Sequence, residues 1–305
     1  MLDDKIFTSQ MIITVLVTIA VILRIFSNPL GNVFQKQLTT KGIHPLFINF
    51  LTYFLLSVGC LFIAFIIHLP VLPQQFWIYS ILGGIAGSLG NGFLIKALQF
   101  GELSILGPIN SYKSIIGIIG GIILLGEVPN IWGMLGISLI IFGSYIVLNT
   151  TEERFSLALL KKSEIRYRIW ALILTAIEAV FVKKVILASS TTIAFMGWCW
   201  FGSVFSFVLL FVYRLDINKE AKKIETSYFG KFFFLIVCIG IMQFTTNYTF
   251  KHLAVGYALS LFQLSTIVSV LFGYRFFKEL DLSKKIIGSA FMIIGSIVII
   301  LFKNH

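Results

Sequence analysis

Long apolar runs are the feature that most restricts how this chain can fold. A transmembrane α-helix needs about 20 consecutive, mostly apolar residues, and the 305-residue sequence contains ten runs of roughly that length. Their approximate bounds are 11–34, 45–67, 75–97, 104–125, 130–148, 168–187, 192–213, 229–250, 256–276 and 285–302. Since backbone polar groups must be satisfied within a bilayer, we predict an all-α membrane protein with ten transmembrane helices.

The connections between these runs leave no room for a soluble domain. The two longest, 149–167 and 214–228, are short and rich in charge. Only 12% of all residues are charged, against roughly 25% in an ordinary soluble domain. The first apolar run lacks a signal-peptide cleavage pattern, so we expect it to be retained as a helix. Any function is therefore predicted to lie within the membrane.

An internal repeat relates the two halves of the sequence. At an offset of 152 residues, one set of small and acidic residues falls on another: Gly121 on Gly273, Glu127 on Glu279, Gly136 on Gly288, Gly143 on Gly295 and Ser144 on Ser296. Earlier in each half, VFQKQL (33–38) resembles VFVKKV (180–185) at an offset of 147 residues. The repeat indicates a duplicated five-helix unit, with one copy in residues 1–150, a polar connection at 151–167 and a second copy in residues 168–305.

An odd number of helices in each unit predicts that the two units are inverted relative to each other. The second unit must then enter the membrane from the opposite side. Inverted repeats are typical of secondary transporters, whose binding sites lie near the midplane between the repeats.

Residues 96–148 resemble an EamA-type domain of the drug/metabolite transporter superfamily. The shared residues are Ala97 and Leu98 at a helix end, Pro108 early in the next helix, Leu125-Gly126-Glu127, and then Gly136 and Gly143. The likeness extends over nearly the whole chain through Lys36 and, in the second half, Glu279, Gly288 and Gly295. The resemblance implies ten helices in two inverted repeats that move small metabolites, often amino acids, by alternating access.

Two arguments about orientation disagree. Most lysines and arginines lie in the connections after the odd-numbered runs, so the positive-inside rule places both termini outside the cytoplasm. The family resemblance implies that both termini are cytoplasmic. The sequence leaves the orientation open.

Lys113 stands about a third of the way into an apolar run. A lysine well inside a span costs roughly 2.5–3.5 kcal/mol on insertion scales, so it usually faces a partner or a watery cavity. Helical spacing places Asn110, Lys113 and Gly117 on one face. We predict that Lys113 and Asn110 contact substrate, while the alternative is that the long side chain reaches the nearer headgroups.

Glu178 is the expected counterpart of Lys113, because it is an acidic residue inside a predicted span. Three interpretations stay open. Lys113 and Glu178 could bind the carboxylate and the amine of a zwitterion, Glu178 could carry a proton in proton-coupled transport, or the two residues could form a structural salt bridge.

Uncharged amides and a hydroxyl complete the predicted binding site. Asn91 and Gln243 are equivalent at the 152-residue offset, Asn28 and Asn32 share a face of the first helix, and Gln263 and Thr266 share a face of the ninth. Such groups often join helices in membranes, but as a set they indicate sides that face a cavity.

Other polar and aromatic residues are interpreted structurally. Lys36 and Lys183 are expected to anchor helix ends near headgroups, and Glu127 and Glu279 to cap the helices that follow them. Trp198 and Trp200 are interpreted as packing aromatics. Glycines of the fifth and tenth helices could also form the surface of a homodimer.

Several classes of function lack support in the sequence. No nucleotide-binding loop or nucleophile motif occurs, the histidines and aspartates are scattered, and the basic residues fit lipid headgroups better than nucleic acid. We expect no enzyme activity, cofactor, metal site or nucleic-acid partner. The prediction is a secondary transporter of a small polar, most plausibly amino-acid-like metabolite in a bacterial inner membrane. A membrane scaffold and, more remotely, an intramembrane enzyme are the alternatives.

Overall fold

The computed structural model describes residues 2–67, 70–101, 103, 106, 112–149, 162–278 and 285–302. In these ranges every regular element is a helix. This agrees with the predicted all-α class and with the need of a membrane-embedded backbone to satisfy its hydrogen bonds within each segment.

Twelve α-helices are described, five before the central connection and seven after it. The first five are α1 (Leu2–Thr39), α2 (Pro45–Ile66), α3 (Gln74–Phe100), α4 (Lys113–Leu125) and α5 (Ile131–Asn149). The others are α6 (Ser163–Ala188), α7 (Thr191–Val212), the short α8 (Ile217–Lys222), α9 (Phe229–His252), α10 (Val255–Phe262), α11 (Ser265–Phe277) and α12 (Lys285–Phe302).

Six helical stretches in the described part of the chain are long and apolar enough to cross a membrane. They are Gln10–Thr39, Pro45–Ile66, Gln74–Phe100, Thr191–Val212, Thr226–His252 and Val255–Phe277. Shorter apolar helices lie at Lys113–Leu125, Ile131–Gly143 and Ala290–Ile299. The chain is therefore an integral, multi-pass membrane protein.

Two predicted spans differ from the observed helices. The ninth is interrupted, because tight turns at Gln263 and Leu264 separate α10 from α11. The fourth is described as a helix only from Lys113 onward, so this lysine lies at the start of α4. Residues 107–111, including Asn110, lie outside the described residues.

The contacts between the two halves are reciprocal. The first helix of each half packs against the third helix of the other, as α1 with α9 and α6 with α3. Likewise α4 packs on α6, and α11 packs on α1. Three further pairs join equivalent helices directly: α2 with α7, α4 with α10, and α5 with α12. This arrangement is compatible with an internal two-fold relation.

Glycines let α5 and α12 approach closely. A Cβ atom added at Gly136 would stand 2.6 Å from the carbonyl oxygen of Gly295, and one at Gly143 would overlap the carbonyl oxygen of Gly288. The spacing of these glycines is thus explained by packing within one chain. The homodimer stays a prediction.

Candidate functional site

A polar cavity lies in the interior of the helix bundle. The space inside it that water-sized molecules can occupy is about 70 Å³ in this conformation. The charged and amide side chains that line it are Arg24, Asn28, Asn32, Asn91, Lys113, Arg168, Glu178 and Gln243. Six of these residues are among the nine predicted as substrate contacts. Because they come from both halves of the chain, the cavity is the candidate functional site.

Glu178 is the carboxylate of this cavity. Its side chain is buried on α6, and its Oε1 accepts a hydrogen bond of 2.7 Å from Nε1 of Trp198. Trp198 in turn packs on Tyr53, with 4.6 Å between the ring centroids. A Cβ atom at Gly87 of α3 would overlap the Glu178 carboxylate. Trp198 and the absent side chain at Gly87 therefore fix where this carboxylate lies.

Lys113 and Glu178 line the same cavity without forming an ion pair. No described nitrogen–oxygen pair between them lies within 4.0 Å, and the Lys113 ammonium has no hydrogen-bond partner among the described residues. In this conformation the two side chains face the same cavity without the direct salt bridge. Both charged groups are left available to a third molecule.

Arg24 is a cavity residue that sequence reasoning missed. Its side chain is 8% exposed, Nε donates to Oγ1 of Thr246 at 2.9 Å, and the guanidinium lies 4.8 Å from the centroid of the Phe262 ring. Its Nη1 has no hydrogen-bond partner. The sequence did indicate this residue, because Arg24 interrupts the first apolar run just as Lys113 interrupts the fourth.

Arg168 is a second cation that was missed. It is buried near the start of α6, and its Nε donates to the carbonyl oxygen of Leu106 at 2.9 Å. Together with Asn28 and Asn32 it also lines a smaller adjoining cavity that reaches Ser265 and Ser269 of α11. The polar space therefore continues along α1 toward the end of the bundle where α6 begins.

The amides lie where the internal repeat predicts, on α3 and α9. Asn91 donates to the Tyr53 hydroxyl at 2.7 Å, and Gln243 lies 2.9 Å from the amide of Asn247. Each is fixed by one neighbour while it lines the cavity. Both can therefore offer further hydrogen bonds to a polar ligand.

Gln263 and Thr266 do not line the cavity. Gln263 is fully buried at the break between α10 and α11, where its Nε2 donates to the carbonyl of Leu259 and its Oε1 has no partner. Thr266 is buried just beyond the break. The cavity is lined there by Leu259 and Phe262 instead.

A second charge cluster, which we call the Lys183 cluster, adjoins the cavity, because Phe250 belongs to both. The ammonium of Lys183 donates to the carbonyls of Phe250 and Leu253, and it lies 3.4 Å from Oε1 of Glu127. The other carboxylate oxygen of Glu127 accepts from the backbone N–H of Val255 at 2.7 Å. These five residues form the cluster.

The Lys183 cluster corrects two predictions. Lys183 is 7% exposed, so it does not anchor a helix end among headgroups. Glu127 caps α10, which lies 128 residues further along the chain, and not the helix that follows it in sequence. Glu279, its repeat equivalent, lies outside the described residues.

Comparison with known proteins supports the family resemblance. The model of the EamA-like transporter family matches residues 16–149. This range covers nearly all of the first five-helix unit. The likeness to the EamA-like transporter family therefore lies in residues 16–149.

Two curated relatives match most of the chain. Both are from Streptococcus agalactiae, one of serotype V and one of serotype III, and each is named "Putative sugar uptake protein". Each is 22% identical over 272 residues, which are 82% of this chain and 88% of the relative. The match thus extends across both halves.

A solved crystal structure has a similar fold. It superposes with a TM-score of 0.68 at 14% sequence identity, and the match covers 94% of this chain and 98% of that one. At this identity the likeness concerns the fold alone. The family match over residues 16–149 and the two named relatives are the findings that point to membrane transport.

Proposed function

We propose that this protein is a secondary-active transporter that moves a small polar metabolite by alternating access around the central cavity. One observation carries the proposal: charged and amide side chains from both halves line one cavity inside a bundle of membrane helices. Charges inside a membrane are costly and usually mark a substrate or ion pathway. A scaffold protein would have no need of them.

The proposed architecture is ten transmembrane helices in two inverted five-helix repeats. The reciprocal contacts between the halves support it, as does the break between α10 and α11 beside the cavity. Discontinuous helices commonly form the binding sites of transporters. In this arrangement one half rocks against the other around the site.

The substrate is small and polar, and two chemistries are candidates. An amino acid would place its carboxylate at Lys113 and its amine at Glu178, which are unpaired with each other. A sugar is favoured by the names of the two streptococcal relatives, and the amides of Asn91 and Gln243 suit its hydroxyl groups. Glu178 is alternatively the site of proton coupling.

The cellular setting is also a proposal. We place the protein in a bacterial inner membrane, with lipid around its apolar exterior. An intramembrane enzyme is the weaker alternative, because the described residues contain no group of three or more His, Cys, Asp or Glu side chains that could hold a metal ion.

Solute counterflow in proteoliposomes tests the proposed function. The purified full chain is reconstituted and assayed with a panel of amino acids, sugars and cationic drugs. We expect one class to exchange saturably, and Lys113→Met and Glu178→Gln to abolish that exchange. Glu164→Gln is the matched control, because Glu164 lies in the first turn of the same helix, outside the cavity.

Either of two results would contradict the proposal. Saturable exchange of no compound in the panel would favour the scaffold. Exchange that survives unchanged in both Lys113→Met and Glu178→Gln would remove the cavity from the transport path.

A further inference from the structure

The cavity carries more positive than negative charge. Arg24, Lys113 and Arg168 line it, whereas Glu178 is the one carboxylate among its lining residues in the described chain. The Lys183 cluster contributes one charge of each sign and so leaves this imbalance unchanged. An excess of two positive charges therefore stands in a low-dielectric interior, where unpaired charges are expensive.

The cations of the cavity are not neutralised by the one carboxylate. Glu178 accepts from Trp198, and no described cation lies within ion-pair distance of it. The Nε of Arg168 donates a hydrogen bond to a neutral carbonyl oxygen. Among the described residues that line the cavity, no second carboxylate compensates these charges.

Arg24 is an incompletely satisfied cation of this cavity. A guanidinium has five N–H donors in a planar fork, and the contacts of Arg24 are one neutral hydroxyl and one ring face. Its Nη1 is buried and without a partner. A buried donor left unpaired is destabilising, so a hydrogen-bond acceptor on a bound ligand would stabilise this arrangement.

We propose that the transported substrate is a small organic anion, whose carboxylate or phosphate group is bound by Arg24 and Lys113. This inference rests on the proposed transport function and specifies its substrate class. An arginine fork matches the paired oxygens of a carboxylate or phosphate. The hydroxyl or amide groups of the same substrate bind Asn91 and Gln243.

The net charge of the substrate distinguishes a small organic anion from the two candidates named above, a zwitterionic amino acid and a neutral sugar. A zwitterionic amino acid and a neutral sugar both leave the excess positive charge as it is. An acidic amino acid, a sugar acid or a sugar phosphate reduces it. Such anions keep the polar groups that the cavity amides can recognise.

Pairs of compounds that differ mainly in charge test the inference. Counterflow by the wild-type protein is compared for glutamate and glutamine, gluconate and glucose, and glucose 6-phosphate and glucose. We expect the anionic member of at least one pair to exchange about tenfold faster or more, as the loss of a charge-assisted hydrogen bond implies. The gluconate and phosphate arms distinguish carboxylate from phosphate recognition.

Variants of Arg24 test whether the preference for anions arises in the cavity. Arg24→Gln is expected to lose most of the preference for the anion, and Arg24→Lys to keep part of it, because lysine retains the charge without the fork. Arg275→Gln is the control, since Arg275 is an exposed arginine near the end of α11 and should leave the preference unchanged.

The outcomes separate this inference from the proposed function. Neutral members that exchange as fast as their anionic partners would overturn the anion assignment and leave transport standing. Anions that raise the unfolding temperature of wild type but not of Arg24→Gln, without exchanging, would support the anion site and contradict transport. If no anion exchanges and none raises the unfolding temperature, the inference is wrong.

Discussion

The central cavity and the Lys183 cluster both contain charged side chains inside the same helix bundle, but these charges have partners in the cluster and are incompletely paired in the cavity. In the cluster, Lys183 has a carboxylate and two backbone carbonyls as partners. In the cavity, Lys113 has no hydrogen-bond partner among the described residues and Arg24 leaves Nη1 unpaired. The degree of satisfaction, and not burial alone, distinguishes a structural charge from a binding charge.

The two regions also differ in what they join. The Lys183 cluster ties α6, the connection after α4 and the junction of α9 with α10. It therefore holds elements of both halves together at one end of the bundle. The cavity lies between the same halves but contains space in place of direct ion pairs.

The largest effect is expected from breaking the cluster. Lys183→Gln leaves the partly buried Glu127 carboxylate without its cation, and breaking a fully buried pair costs roughly 3–5 kcal/mol, which is the upper bound here. We expect a marked drop in the unfolding temperature in detergent. The control is Lys184→Gln, because the neighbouring lysine is half-buried and lies 5.8 Å from the ring centroid of Tyr79, outside the cluster.

A double variant sharpens this test. In Lys183→Gln with Glu127→Gln, both charges are removed together, so we expect part of the lost stability to return. An unfolding temperature of Lys183→Gln equal to that of wild type would show that the cluster contributes no more than the unpaired cavity charges do.

A smaller effect is expected at the wall of the cavity. Gly87→Ala places a methyl group where the Glu178 carboxylate lies, and overpacking of this kind costs about 1–3 kcal/mol. We expect reduced counterflow and moderate destabilisation. Gly83→Ala lies one turn away on α3 and makes only an ordinary contact, at 3.6 Å from Phe181, so it should behave like wild type. Equal behaviour of the two variants would contradict the position assigned to Glu178.

The smallest of these effects is expected for the hydrogen bond to Glu178. Trp198→Phe keeps an aromatic ring against Tyr53 but removes the Nε1 donor, which costs about 1–3 kcal/mol when the acceptor is charged and buried. We expect a partial loss of counterflow. Trp200→Phe is the control, because its buried Nε1 has no partner; a similar loss there would mean that bulk, and not the hydrogen bond, matters.

The fold class and much of the cavity could be predicted from the sequence. Apolar runs identify the helices because the bilayer sets their length, and the cost of an intramembrane charge identified Lys113 and Glu178. The internal repeat related Asn91 to Gln243, and both line the cavity. Arg24 was predictable by the same cost argument, since it interrupts an apolar run in the same way.

Other features depend on contacts that no local pattern encodes. The hydrogen bond from Trp198 to Glu178 depends on how α6 and α7 are rotated against each other. The pair of Lys183 and Glu127 joins residues 56 positions apart, and each residue alone resembles an ordinary helix-end charge. The break at Gln263 contains neither proline nor glycine, the usual local causes of a kink.

Lys113→Met provides the most direct test of the central claim, that the unsatisfied cavity charges exist for a substrate. The unfolding temperature and the counterflow of this variant are measured in parallel with those of wild type. Because Lys113 has no hydrogen-bond or ion-pair partner among the described residues, we expect an unfolding temperature equal to or above that of wild type, together with abolished exchange. A fall in unfolding temperature as large as that of Lys183→Gln, or exchange at the wild-type rate, would contradict the account.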